Sequence, residues 1–332
     1  VQGITLPGNN SIANSYDDAG QLLSTALKNS GNTVLDSYAY TYNNNGSRLN
    51  ATRADNAVVN YGYDTINQLI SAQGFESSGG MLRGNEYFTY GYDGAGNLAW
   101  RTNNTLEQAF ITDGANQLTG VVRSNDLLTV AGSLSGTASS LTINDAAATI
   151  YGDLTFAVTS GVTIADGVNY LTNVLNGTMT NTVREVLPVT VNLAHDANGN
   201  LTWDGLKAYG YDCANQLTSV TITNAFRTEY AYDGFGRRRM KKEYIWSGNA
   251  WSQTNEVRYV YDGMRVIQER DGNNNPKVSY TRGLDMSGTM EGAGGIGGLL
   301  ARTDSSGSAY YHADGNGNVT MLINSGGTTV AK

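Results

Sequence analysis

Side chains able to do chemistry are few in this sequence, and most of them recur in one repeated slot. There are two histidines, His195 and His312, and a single cysteine, Cys213. Two histidines cannot supply a multi-histidine zinc site, and one cysteine supports neither an intrachain disulfide nor a cysteine metal site. A Ser-His-Asp relay would have to use one of these two histidines, and no GxSxG nucleophile turn is present. The run Gly292–Gly298 (GAGGIGG) has the composition of a phosphate cradle. It lacks the Lys-Ser/Thr that completes a P-loop and a helix to open, so a flexible turn is expected there. Acidic residues recur one per turn, without the spacing of EF-hand or RTX calcium loops. No two carboxylates stand out as a glycosidase pair. The sequence therefore assigns no catalytic, cofactor-binding or metal residue and no cofactor, and the expectation is a non-enzymatic protein.

These residues are positioned by a repeat. Aligned on an aromatic residue, the segments read YDDAGQLLS (Tyr16), YNNNGSRLN (Tyr42), YDTINQLIS (Tyr63), YDGAGNLAW (Tyr92) and TDGANQLTG (Thr112). HDANGNLTW (His195), YDCANQLTS (Tyr211), YDGFGRRRM (Tyr232) and YDGMRVIQE (Tyr261) follow, with a degenerate HADGNGNVT at His312. Each tyrosine ends an alternating strand such as YGY at Tyr61–Tyr63 or YAY at Tyr230–Tyr232, so paired tyrosines share one face. The aspartate after it (Asp64, Asp93, Asp212, Asp233) can accept hydrogen bonds from the turn amides ahead. Gly96, Asn97, Gly199 and Asn200 are expected in left-handed positions. A leucine (Leu69, Leu98, Leu118, Leu201, Leu217) opens the return strand. The unit is a β-hairpin of about 20 residues. The two histidines read as rings standing in for the tyrosine ring.

This motif resembles the YD-repeat, or RHS (rearrangement hotspot), family. From Tyr259 onward the resemblance extends to the start of the RHS repeat-associated core, in YVYDGMRVIQERDGNNNPKVSYTRGLD and GAGGIGGLLARTDSSGSAYYHADGNGNVTMLIN. The resemblance implies hairpins winding into a curved sheet, a barrel or a partial shell. In relatives such shells enclose a toxin or form a barrel on a cell-surface adhesion protein. The family's self-cleaving protease is built around a DPxG motif, which this sequence lacks, so that activity is expected to be absent.

One step breaks the period. From Tyr42 to Thr112 the spacings are 21, 29 and 20, but Thr112 to His195 is 83. Between about Asn125 and Val191 small and β-branched residues dominate, and LTVAG, LTINDAAATIYGDLTF and VTIADGVNYLTNVL resemble a bacterial immunoglobulin-like module. The expected organisation is a first repeat sheet over 1–124, an inserted β-sandwich over 125–191, and a second repeat sheet over 192–332 with the core-like segment from about 259.

Composition agrees with an all-β protein. Charged residues are 15%, against about 25% in a typical globular domain, and Gly (41) and Tyr (21) are abundant. The net charge of −8 argues against a nucleic-acid surface. The basic run Arg237, Arg238, Arg239, Lys241, Lys242 reads as a solvated strand edge. No segment is apolar enough over about 20 residues to form a spanning helix. The chain begins at Val1, and a mature or excised fragment is expected. About 265 residues outside the insert, at about 16 Å² each, would cover on the order of 4,200 Å², too little to enclose a toxin domain. The expected function is a secreted or cell-surface structural unit (shell wall, barrel or fibre). The partners would be further copies, by strand addition at Thr328–Lys332 for example, or the rest of a larger RHS polypeptide. The alternatives are an adhesion module, binding surface glycans through Trp100, Trp203, Trp246 or Trp251, and a fragment of a toxin-delivery shell.

Overall fold

The computed structural model describes residues 2–77 and 79–332. Every regular element among them is a β-strand, apart from one turn of 3-10 helix at Pro7–Asn9. The protein is all-β, as its sequence implies. The chain divides into two compact units, Val1–Ala39 with Ala194–Lys332, and Tyr40–Leu193.

In the first unit the strands Gly3–Leu6, Asn10–Tyr16, Leu22–Lys28 and Val34–Tyr42 pair antiparallel in chain order, the last crossing the division. Thirteen further strands, from Ala194–His195 to Thr329–Ala331, do the same. Sequential pairing follows from the hairpin repeat, because each strand finds its partner across a short turn. Leu6, Ile12 and Leu27 from the start of the chain form one buried cluster with Met321 and Ile323 from its end. The contact is backbone-close. A Cβ on Gly8 would fall 1.8 Å from the Ser325 carbonyl oxygen, so only glycine fits there.

In the second unit the strands from Arg48–Arg53 to Leu118–Arg123 pair in order, and Thr190–Asn192 returns to pair with Leu118–Arg123. The residues between these last two strands form three small antiparallel sheets around a cluster of Leu141, Ile143, Val158 and Val162. Arg83, on the strand Leu82–Tyr92, is 1% exposed. It bonds Glu86 (3.1 Å), Asp153 (2.8 Å), Thr155 Oγ1 (2.7 Å) and Glu76, and lies over the Tyr151 ring. A fully buried guanidinium persists only when paired this completely.

The turns show how each hairpin closes. Asp64 Oδ1 accepts from the amides of Ile66 (3.0 Å) and Gln68 (2.8 Å), and Asp93, Asp196, Asp212, Asp233 and Asp314 repeat the arrangement. The third residue after the aspartate is left-handed: Asn67, Gly96, Gly199, Asn215, Gly236, Gly317. This is a type I turn followed by a bulge. Gly96 and Gly199 are left-handed as expected, but Asn97 and Asn200 are not. Each follows the left-handed glycine, and its side-chain amide reaches back to the turn aspartate Oδ2 at 2.9 Å. The same amides also donate at 2.9 Å to Asn116 and Asn215 in the next turn.

The basic run is not on an edge. Arg238–Trp246 is paired on both sides. Arg238 and Arg239 are exposed on the face of the sheet, so the run is solvated as expected but central: Arg238 lies over the rings of Tyr230 and Tyr259 at 5.5 and 4.8 Å, and Lys241 pairs with Glu243 at 3.0 Å. An exposed guanidinium over a tyrosine face keeps its hydration while its stem and the ring are in contact.

Candidate functional site

A repeated clasp joins successive hairpins. Tyr63 Oη donates to the Arg48 carbonyl (2.9 Å), Tyr92 to Leu69 (2.8 Å), Tyr232 to Leu217 (2.8 Å) and Tyr261 to Arg238 (2.8 Å). The acceptor is always the residue six past the tyrosine of the preceding repeat. Burial holds the hydroxyls of Tyr63, Tyr232 and Tyr261 above their ordinary pKa, so they stay protonated donors.

His312 departs from its expected role. Its turn aspartate is Asp314, so Ala313 occupies the tyrosine slot, and the register shift before Ala313 matches the one before Tyr63. His312 therefore occupies the position of Gly62, and its ring lies on the opposite face from the tyrosines. It is 0% exposed, with Thr25 (3%) and Asp36 (5%). Nδ1 donates to Asp36 Oδ2 at 2.8 Å, and Nε2 lies 3.1 Å from Thr25 Oγ1. Thr320 Oγ1 donates to the same carboxylate oxygen at 2.6 Å. Burial pushes the Asp36 carboxyl up, but the bonds from His312 and Thr320 outweigh it and hold the group below its usual range. Hydroxyl, imidazole and carboxylate stand in the order of an acyl-transfer relay. With all three closed to solvent, no substrate reaches the hydroxyl. What the arrangement does is tie Leu22–Lys28 and Val34–Tyr42 to the strands Gly307–Ala313 and Val319–Ile323. His195 does occupy a tyrosine slot, pairing with Leu201 ahead of the Asp196 turn.

The glycine run closes on an anion of its own. Asp285 Oδ2 accepts from the amides of Ala293 (2.6 Å) and Gly295 (3.1 Å), and Oδ1 from the Ser287 amide and hydroxyl. The Ser287 hydroxyl and these amides hold its pKa at about 2. The cradle is thus filled by the chain's own carboxylate. Among the described residues no group of three or more His, Cys, Asp or Glu is placed to hold a metal ion.

Trp100 and Trp203 are both exposed. Trp100 lies across Gly91, where a Cβ would fall 2.0 Å from its Nε1. Trp246 and Trp251 pair edge to face across strands at 5.2 Å.

Three curated proteins share a stretch of this chain. Over 144 residues it is 32% identical to the tRNA3(Ser)-specific nuclease WapA of Bacillus spizizenii. Over the same length it is 30% identical to the tRNA(Glu)-specific nuclease WapA of Bacillus subtilis subsp. natto and to the tRNA nuclease WapA of Bacillus subtilis strain 168. The match takes in 42% of this chain and 5% of each relative. No family model matches the chain. Among solved structures, 97% of the chain aligns with TcdB2-TccC3-Cdc42 at 17% identity and a TM-score of 0.39, covering 17% of that chain. It aligns as widely with the Photorhabdus luminescens Tc holotoxin pore, at 17% identity and a TM-score of 0.36, covering 16% of that chain. The curated relatives overturn the expectation of a non-enzymatic protein, since all three are named as nucleases. The tyrosine-aspartate pattern misled on this point because it reports only how hairpins are joined.

Proposed function

We propose that this chain is a stretch of wall from an RHS-type toxin-delivery polypeptide, exported or displayed at the cell surface, and that the whole protein cleaves tRNA. The observation that carries the wall reading is the clasp: Tyr63, Tyr92, Tyr232 and Tyr261 make the same bond to the preceding repeat. A sheet that adds identical steps can be extended by further repeats without new packing rules. The names of the curated relatives support the nuclease part. We read 125–191 as an immunoglobulin-like insert between repeat sheets at 1–124 and 192–332. The small sheets around Leu141 and Val158 support that reading.

The test uses the full-length gene product. Incubated with total tRNA, it is expected to give discrete cleavage products on a denaturing gel, and intact tRNA at every protein concentration would refute the nuclease part. Limited proteolysis read by mass spectrometry tests the wall. Enclosed segments should resist cleavage until the sheet is denatured, and equal native cleavage of all segments would refute enclosure.

A further inference from the structure

The stem of Arg265 and the guanidinium of Arg282 both pass beside Gly295. Arg265 opens the strand Arg265–Arg270, and Arg282 ends the strand Pro276–Arg282. A Cβ placed on Gly295 would lie 3.4 Å from Arg265 Cγ and 3.8 Å from Arg282 Nη1. Arg265 is 8% exposed. Its Nε donates to Glu291 Oε1 (3.0 Å) and its Nη2 to Asp262 Oδ2 (2.6 Å), while its Nη1 is buried without a hydrogen-bond partner among the described residues. Arg282 is half-buried, and its Nε donates to the Val266 carbonyl at 3.2 Å. It forms no ion pair among the described residues. Burial and the neighbouring charge of Arg265 pull its guanidinium below the usual pKa.

This pairing carries two costs. A buried N–H left without an acceptor loses its hydration unrepaid, and two like charges repel across a partly desolvated space. One acceptor with two oxygens removes both, because the flat guanidinium fork matches a carboxylate or a phosphate. The carboxylates nearby are already engaged: Asp262 and Glu291 on the other nitrogens of Arg265, and Asp285 on the loop amides. The glycine run has little to offer a ligand. The amides of Gly292, Gly294, Ile296 and Gly298 bond Thr289, Glu291, Ala293 and Gly295. Side chains would therefore do the holding.

We propose that Arg265 and Arg282 form a binding site for one compact oxyanion, a carboxylate or a phosphate, beside Gly295. Isothermal titration of the 332-residue chain at constant ionic strength tests this, with inorganic phosphate in one arm and acetate in the other. Saturable binding is expected in at least one arm. Phosphate alone identifies a phosphate ligand, and acetate alone identifies a carboxylate. Arg282→Gln should weaken it at least tenfold, whereas Arg239→Gln, at an exposed arginine, should leave it unchanged. Circular dichroism checks that Arg282→Gln is folded. Should it not fold, Arg282→Lys is read in its place, keeping the charge but losing the fork, and weakened binding is again expected. No saturable heat in either arm, or unchanged affinity in the folded Arg282 variant, would overturn the proposal.

Discussion

His312 Nδ1 lies 2.8 Å from Asp36 Oδ2, although 276 residues separate the two along the chain. The bond is buried and shares its carboxylate with Thr320, so its loss leaves polar groups stranded. Removing one partner of a buried bond costs about 1–3 kcal/mol. Asp36→Asn should therefore lower stability by about 2 kcal/mol in urea unfolding at pH 7. The sign of the pH dependence follows from Asp36. Its folded pKa lies below its unfolded value, so its contribution is fully present above about pH 4 and is lost as pH falls through the folded value. Between pH 5 and pH 3 the wild type should lose more stability than Asp36→Asn. Equal losses would show that Asp36 is not the group involved.

The tyrosine clasp makes a sharper comparison, because one atom is removed. Tyr92→Phe and Tyr232→Phe delete the hydroxyls that donate to Leu69 and Leu217 and keep the rings. Each should cost about 1 kcal/mol in thermal or urea unfolding. Tyr211→Phe serves as the control, since the Tyr211 hydroxyl has no hydrogen bond among the described residues. A loss at Tyr211 equal to that at Tyr92 would mean that the ring environment, rather than the clasp, sets the effect.

How legible each feature is depends on how local it is. The turn bonds span two and four residues, so the Asp, Gly and Asn of each repeat announce them. The clasp spans one repeat. Its donor is visible as the tyrosine, but its acceptor is a backbone carbonyl that residue types do not mark. The contact of His312 with Asp36 spans most of the chain, and Asp36 looks like any charge on the strand VLDSYAY. One local signal does exist: Ala313 stands between His312 and Asp314, and that single residue moves the histidine to the other face. The central position of Arg238–Trp246 was hidden for a similar reason, since exposed cations mark a solvated face and do not say whether both sides of the strand are paired.

The turn acceptor can be exchanged between aspartate and asparagine. Asn43 and Asn324 already accept from the amides two and four residues ahead, as the aspartates do. Asp64→Asn should leave the melting temperature close to wild type, while Asp64→Ala lowers it. Gly96→Ala should lower it as well, because φ is 85° there and a Cβ in the left-handed region costs about 1–2 kcal/mol. Asn67→Gly, in the equivalent slot of its repeat, should be neutral within about 0.5 kcal/mol. Melting curves of these four variants decide the matter, and a ranking with Asp64→Asn below Asp64→Ala would contradict the shared turn geometry.

Arg83 offers the strongest expected effect. Its guanidinium sits among Glu76, Glu86 and Asp153, and the last belongs to the stretch between the strands Leu118–Arg123 and Thr190–Asn192. Arg83→Met keeps most of the apolar stem but takes the buried cation from Glu76 and Asp153 and leaves Glu86 with Arg53 alone, a loss expected to cost about 3–5 kcal/mol. Asp153→Asn removes one of the three and retains a hydrogen-bond acceptor, so it should cost less. A double-mutant cycle between the two positions should give a coupling of at least about 1 kcal/mol. The coupling should fall little between 0.1 and 1 M salt, because a buried pair is screened far less than an exposed one. A coupling near zero would mean that Asp153 and Arg83 are not engaged in solution, and that apolar packing around Tyr151 holds this stretch against Leu82–Tyr92.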